Sequence, residues 1–177
     1  MNGGRVKPSI GSLKERNISG QETGMTVVHI VVHTSENKKK CSVEPLRGKD
    51  GFRFYPFPLN QDVDFSNCFR LGIGGKNLSV SDALMGLVVL DGTWRHAGVM
   101  ENIFPDLPVR SLSGWQTAYP RVSKLYEDPD TGLATIEAIF AAFVLTGRKT
   151  EGLLEHYFWK EKFLRLNQRF IVDNKEK

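Results

Sequence analysis

Apolar and polar residues follow two different periods along the chain, and the switches between them mark out an α/β protein. Residues 25–32 are dense in Val and Ile, β-branched side chains that fit a strand covered on both faces, as in a parallel sheet. Residues 51–57 alternate Phe52, Phe54 and Pro56 with Arg53, Tyr55 and Phe57. Proline cannot donate to a ladder, so Pro56 and Pro58 make this an edge strand or an extended segment. A short helix capped by Ser79 or Ser81 is predicted to run to Met85 and stop at Gly86. Residues 87–90 then read as a short buried strand, and 108–112 as another. Residues 135–146 are apolar on nearly all sides, through Ile136, Ile139, Phe140, Phe143 and Val144. They predict a deeply buried helix ended by Gly147. A last helix over 151–170 carries Trp159, Phe163, Leu166 and Phe170 on one stripe. The glycine-rich segment Gly72-Ile73-Gly74-Gly75-Lys76 lacks phosphate-loop spacing and reads as a flexible loop. Short strands alternating with helices predict an α/β fold with a mostly parallel sheet flanked by helices, and no repeat is visible.

At 177 residues the chain is expected to hold one domain, over 25–171, between a flexible tail at 1–24 and a short one at 172–177. Apolar residues make up 40% and charged residues 25%, the balance of an ordinary globular protein. The longest apolar runs, 27–32 and 138–145, fall far short of the ~20 residues that cross a bilayer. The first 24 residues hold no apolar leader core, so a cytoplasmic location without membrane is expected. Cys41 and Cys68 form no CxxC pair, and His29, His33, His96 and His156 have no ligand spacing. Neither a disulfide framework nor a metal site is expected. The formal net charge of +4 is unevenly spread. Lys38, Lys39, Lys40, Arg47, Lys49 and Arg53 crowd one stretch, while residues 101–137 are acidic. On charge alone that asymmetry reads first as a solvated lysine-rich loop, with a basic surface for a phosphate backbone as the other reading. Oligomeric state is left open.

Candidate chemistry concentrates at two places. The apolar strand Val88-Val89-Leu90 runs into Asp91-Gly92-Thr93-Trp94, and in open α/β sheets ligands sit beyond the carboxyl ends of strands. Asp91 is thereby placed at a crevice, or else serves as a turn aspartate or helix N-cap before residues 94–100. The second place joins Thr117-Ala118-Tyr119-Pro120-Arg121 to Leu133-Ala134-Thr135-Ile136-Glu137. Small residues and a hydroxyl opening a buried helix leave N–H groups for a polar ligand. The alternative is an ordinary helix capped by Thr131 or Thr135, with Glu137 favouring its dipole.

Three blocks together resemble the DTW-domain superfamily, which joins small-subunit rRNA and tRNA-uridine aminocarboxypropyltransferases. They are Lys39-Lys40-Cys41-Ser42 with Pro45-Leu46, then Asp91-Gly92-Thr93-Trp94, then Tyr119-Pro120-Arg121 with Leu133-Ala134-Thr135-Ile136-Glu137-Ala138. The resemblance implies a SPOUT-like α/β fold with a C-terminal trefoil knot around S-adenosyl-L-methionine. It implies transfer of a 3-amino-3-carboxypropyl group to a uridine-type base in RNA, rRNA ahead of tRNA, without a metal. By position, Asp91 would be the catalytic carboxylate. Ser42, Leu90, Tyr119 and Thr135 would line the cofactor pocket, with Thr93, Trp94 and Leu112 supporting its walls. Lys38, Lys39, Lys40, Arg47, Arg53 and Arg121 would contact RNA phosphates. The competing readings are a SPOUT-type RNA methyltransferase and a non-catalytic RNA-binding ribosome-assembly factor. The rRNA branch has Cys-Ser where Gly92-Thr93 stands and Asn-Tyr-Gly where Ala118-Tyr119-Pro120 stands, so the resemblance speaks to reaction class before substrate.

Overall fold

The computed structural model describes residues 26–38, 41–120 and 132–173. The predicted tail at 1–24, Lys39, Lys40, Arg121, Thr131 and residues 174–177 lie outside them. Five strands form one sheet: β1 (Val28–His33), β2 (Phe52–Phe57), β3 (Cys68–Asn77), β4 (Gly86–Asp91) and β5 (Val109–Ser111). The order across the sheet is β2-β1-β4-β3-β5, and every pairing is parallel. The Val/Ile-rich β1 lies inside the sheet, between β2 and β4, and Pro56 sits on the edge strand β2, as their compositions predicted.

Period-two alternation divides the strands between two cores. Val28 and Ile30 of β1, Phe52 and Phe54 of β2, and Leu87 and Val89 of β4 face the larger core. Val31, Tyr55, Val88 and Leu90 face the smaller one. Helix α1 (Trp94–Glu101) covers the smaller core through Met100. Helix α2 (Thr135–Thr146) covers the larger one. Ile136, Ile139 and Phe140 are almost wholly removed from water there, each worth roughly 1.5–3 kcal/mol. Gly147 ends α2 in the left-handed conformation, φ 70°, where a side chain would be strained. No helix among the described residues is long and apolar enough to cross a membrane.

Three expectations need correction. The glycine-rich segment 72–76 is not a loop but part of β3. Its glycines make the strand possible: Gly74 has φ 82° within the irregularity that shifts the β3–β5 register, and a Cβ on Gly75 would run into the Val109 carbonyl oxygen. The short helix after Ser79 is a single 3-10 turn, Val80–Asp82. The long last helix is two short ones, α3 (Lys160–Leu166) and α4 (Gln168–Asp173). They part at fully buried Asn167, whose amide donates to Gln116 O and Phe163 O and accepts from Gln116 N. Side chain and backbone compete for those groups, and the polar anchor turns Leu166 outward in place of the expected apolar stripe.

Candidate functional site

Asp91 is the last residue of β4, at the carboxyl end of a central strand. The parity of Leu87 and Val89 directs its side chain to the α2 face. It is 6% exposed. Cys41 Sγ donates to its Oδ2 at 3.1 Å, and the Thr135 hydroxyl bonds to the same carboxylate. Burial pushes the Asp91 carboxyl above the usual carboxylate range, and the nearby charges of Glu36 and Glu44 push the same way, while the two side-chain bonds oppose them. Burial and Asp91 together raise the Cys41 thiol to about 12, so at neutral pH it is a protonated donor.

The N-terminus of α2 meets this carboxylate. Ser42 Oγ accepts from Ile136 N at 3.3 Å, which satisfies one of the helix's otherwise unpaired first-turn donors. The N-cap of the helix is Ala134 and not Thr135, which is the first helical residue and turns to Asp91; Thr131 lies outside the described residues. Glu137, fully buried, accepts from Thr117 Oγ1, Ala118 N, Ala134 N and Tyr157 Oη at 2.6 to 2.9 Å. It thereby fixes the segment that carries Tyr119, itself 43% exposed. Burial and the Glu137 carboxylate hold the Tyr157 phenol far above its ordinary range.

On the other side of Asp91, Gly92 lets the chain turn against α1, where a Cβ would meet His96 Cβ and Met100 Cε at 3.1 Å. Thr93, not Asp91, caps α1: its Oγ1 accepts from His96 N at 3.3 Å. Thr93 N donates to Glu36 Oε1 at 3.0 Å, which ties the turn after β4 to the loop after β1. Glu36 Oε1 also lies 3.4 Å from His96 Nδ1, and the His96 ring stacks on His33 at 3.7 Å.

An open groove of ≈ 430 Å³ passes over this region, lined by Lys38, Cys41, Ser42, Glu44, Pro45, His156 and Tyr157. It is of the size that takes small ligands. A second hollow of ≈ 380 Å³, on α3 and α4, is lined by Glu161, Leu164, Arg165, Gln168 and Ile171 and shares no residue with it.

The fold thus gathers Asp91, Ser42 and Thr135 at one point, with Lys38 along the adjoining groove. Trp94 is half-buried in the first turn of α1, and Leu112 is half-buried against the larger core just beyond β5. Leu90 points to the opposite face of the sheet from Asp91. Arg47 forms a two-point bond to Glu44 at 2.7 and 3.0 Å and lies over the Phe54 ring. Arg53 is on the other face of β2, within reach of His29 and Tyr55. Among the described basic residues, Lys38 and Arg47 both lie near Glu44, whereas Arg53 is on the opposite face of the sheet from Phe54 and Arg47. Sequence reasoning gave no role to Glu36, Tyr157 or the His33–His96 stack, whose partners lie in distant segments. Among the described residues no group of three or more His, Cys, Asp or Glu is arranged to hold a metal ion.

No family model matches the chain, and no curated protein matches it. Among solved structures it is similar to the SAM-dependent rRNA:acp-transferase Tsr3 from Vulcanisaeta distributa, with a TM-score of 0.65 and 21% identity over 84% of this chain and 82% of that one. The likeness establishes a shared α/β fold with a five-stranded parallel sheet flanked by helices.

Proposed function

We propose that this chain is an S-adenosylmethionine-dependent RNA aminocarboxypropyltransferase acting on a uridine-type base, with rRNA ahead of tRNA as substrate. The observation that carries the reading is the buried Asp91 carboxylate, held at the carboxyl end of a central strand by Cys41 and Thr135. The fold shared with a SAM-dependent rRNA:acp-transferase supports it, as does the order of the three sequence blocks. A SPOUT-like trefoil knot belongs to the same proposal, on the strength of the resemblance of the three sequence blocks alone.

The residues fit a cationic cofactor. Glu36 and Glu44 each stand within electrostatic reach of Asp91, and a sulfonium or ammonium group beside Asp91 would relieve that repulsion. Bound S-adenosylmethionine would supply a sulfonium whose three attached carbons are each electrophilic. Ser42, Tyr119 and Thr135 would hold it at the α2 end, Leu90 through its backbone, with Thr93, Trp94 and Leu112 behind. Asp91 would accept the base N–H as a hydrogen bond and take its proton, while the sulfonium would supply the transferred carbon group by loss of one carbon–sulfur bond, with a neutral thioether as leaving group. Cys41 and Thr135 bond to the carboxylate, and the Glu36 bond to Thr93 N ties down the turn that follows it; a fixed acceptor is what would align one carbon with the base nitrogen rather than another. Lys38 would meet phosphate, positioning the RNA without reading its sequence.

The test incubates purified protein with RNA from cells lacking it, using S-adenosylmethionine labelled on either the methyl group or the carboxyl carbon. Carboxyl label alone in rRNA is the expected result. Label in tRNA instead would correct the substrate, and methyl label alone would make the protein a methyltransferase. RNA binding with neither label would leave a non-catalytic assembly factor.

A further inference from the structure

Cys41 and Ser42 are adjacent in sequence and grip the site from two sides. The thiol reaches the Asp91 carboxylate at 3.1 Å, and the next hydroxyl takes Ile136 N at the start of α2 at 3.3 Å. The 3-10 turn Glu44–Leu46 follows directly, with Glu44 N donating to Cys41 O at 3.4 Å. The dipeptide is therefore anchored to the element that carries Thr135, the other side chain bonded to Asp91. We propose that Cys41 is a positioning residue for Asp91: its thiol orients the carboxylate and favours its ionised, proton-accepting form. The proposal rests on the function given above, for which Asp91 is the acceptor of the base proton.

The physical need is specific. A carboxylate that is 6% exposed and faces Glu36 and Glu44 is driven toward its protonated form, in which it cannot accept. A Lys or Arg partner would restore ionisation, but it would also neutralise the charge that suits a cationic cofactor. A neutral donor bonds to the charged form without cancelling it. The thiol does this and stays inert, because it remains protonated at neutral pH. Inertness matters beside an alkylating sulfonium, since only the thiolate is nucleophilic. The other titratable groups around the pair are Glu36 with His96, Glu44 with Arg47, and Lys38, His156 and Tyr157 along the groove.

Wild type, Cys41→Ser and Cys41→Ala are compared in two measurements. The Asp91 carboxyl carbon is titrated by NMR in the protein alone, and single-turnover transfer to RNA is followed against pH. In Cys41→Ala both the Asp91 midpoint and the acidic limb of the rate profile are expected to move up by about one pH unit. Cys41→Ser, whose hydroxyl also donates, keeps both near the wild-type position. If Cys41→Ala does not fold, Cys41→Val removes the donor while filling the space. An unmoved midpoint, with rate lowered equally at every pH, would show a packing role and overturn the proposal. So would alkylation of Cys41 by S-adenosylmethionine in the wild type, detected by mass spectrometry. A shifted Asp91 midpoint in a protein that transfers nothing to RNA would support the positioning and overturn the reaction.

Discussion

Asp91 shows how one buried group can oppose stability and serve chemistry. Its carboxyl is raised by burial in the folded protein, so the protonated form is favoured by folding. The stability it contributes is complete below the ordinary aspartate pKa and is lost as pH rises through the raised value. At neutral pH the ionised side chain is therefore a local deficit. Asp91→Asn is expected to raise the thermal midpoint by a few degrees, a gain of ~0.5–2 kcal/mol, while transfer falls by roughly 10²–10⁴-fold. Opposite movement of melting temperature and rate is the check. Wild-type transfer should also rise with pH along a limb lying above the ordinary aspartate value of about 3.9. The position of Asp91 was legible because an apolar strand runs into it. Its environment was not, because Cys41 lies 50 residues before it in sequence and Thr135 lies on a helix well after it.

Among the elements, α2 was read from sequence to its end residues, since a long stretch that is apolar on nearly all sides and stopped by glycine favours a buried helix. Its charged member was read only as a favourable first-turn acid. In the structure Glu137 gathers four donors, two of them backbone N–H groups of segments flanking the site. Glu137→Ala would leave several of these buried and unpaired, for a loss of about 3–5 kcal/mol in urea unfolding. Glu137→Gln, which still accepts, should lose less. Strand β3 was missed for the converse reason: its glycines argue locally for a loop, and only the approach of β5 makes them necessary. Gly75→Ala should cost about 1–3 kcal/mol, because the new Cβ meets a strand carbonyl rather than a side chain that can move aside. Gly98→Ala, in α1 with open space around it, should be neutral or stabilising by up to ~1 kcal/mol, and the pair compared in the same unfolding experiment separates close approach from ordinary glycine cost.

Over the whole molecule, the parallel sheet collects the ends of β1 and β4 and the start of α2 at one edge, and the candidate site is built where they meet. The same architecture separates the basic residues that sequence places together. Lys38 lines the groove beside Cys41, whereas Arg53 faces the other side of the sheet with His29 and Tyr55. Lys38→Ala is therefore expected to lower the slope of log affinity for RNA against log salt by about 0.7–0.9, one phosphate contact. Arg53→Ala should leave the slope unchanged. Equal effects from the two substitutions would place the RNA across the β2 edge instead of along the groove.

The sequence by itself determined what depends on neighbours along the chain. Hydrophobic period and β-branching set strands β1, β2, β4 and β5 and the parallel α/β class. The glycine stop set the end of α2, and the apolar run into Asp91 set a carboxylate at a strand end. Tertiary structure alone decided what depends on which segments meet. It made a strand of 68–77, broke the last helix at Asn167, turned Leu90 away from Asp91, and set Cys41, Ser42 and Thr135 around the carboxylate. The division has one cause. Backbone preference and periodicity act over a few residues and are written in any short window, whereas burial, close approach and hydrogen bonds between residues tens of positions apart arise only when the sheet brings those segments into contact.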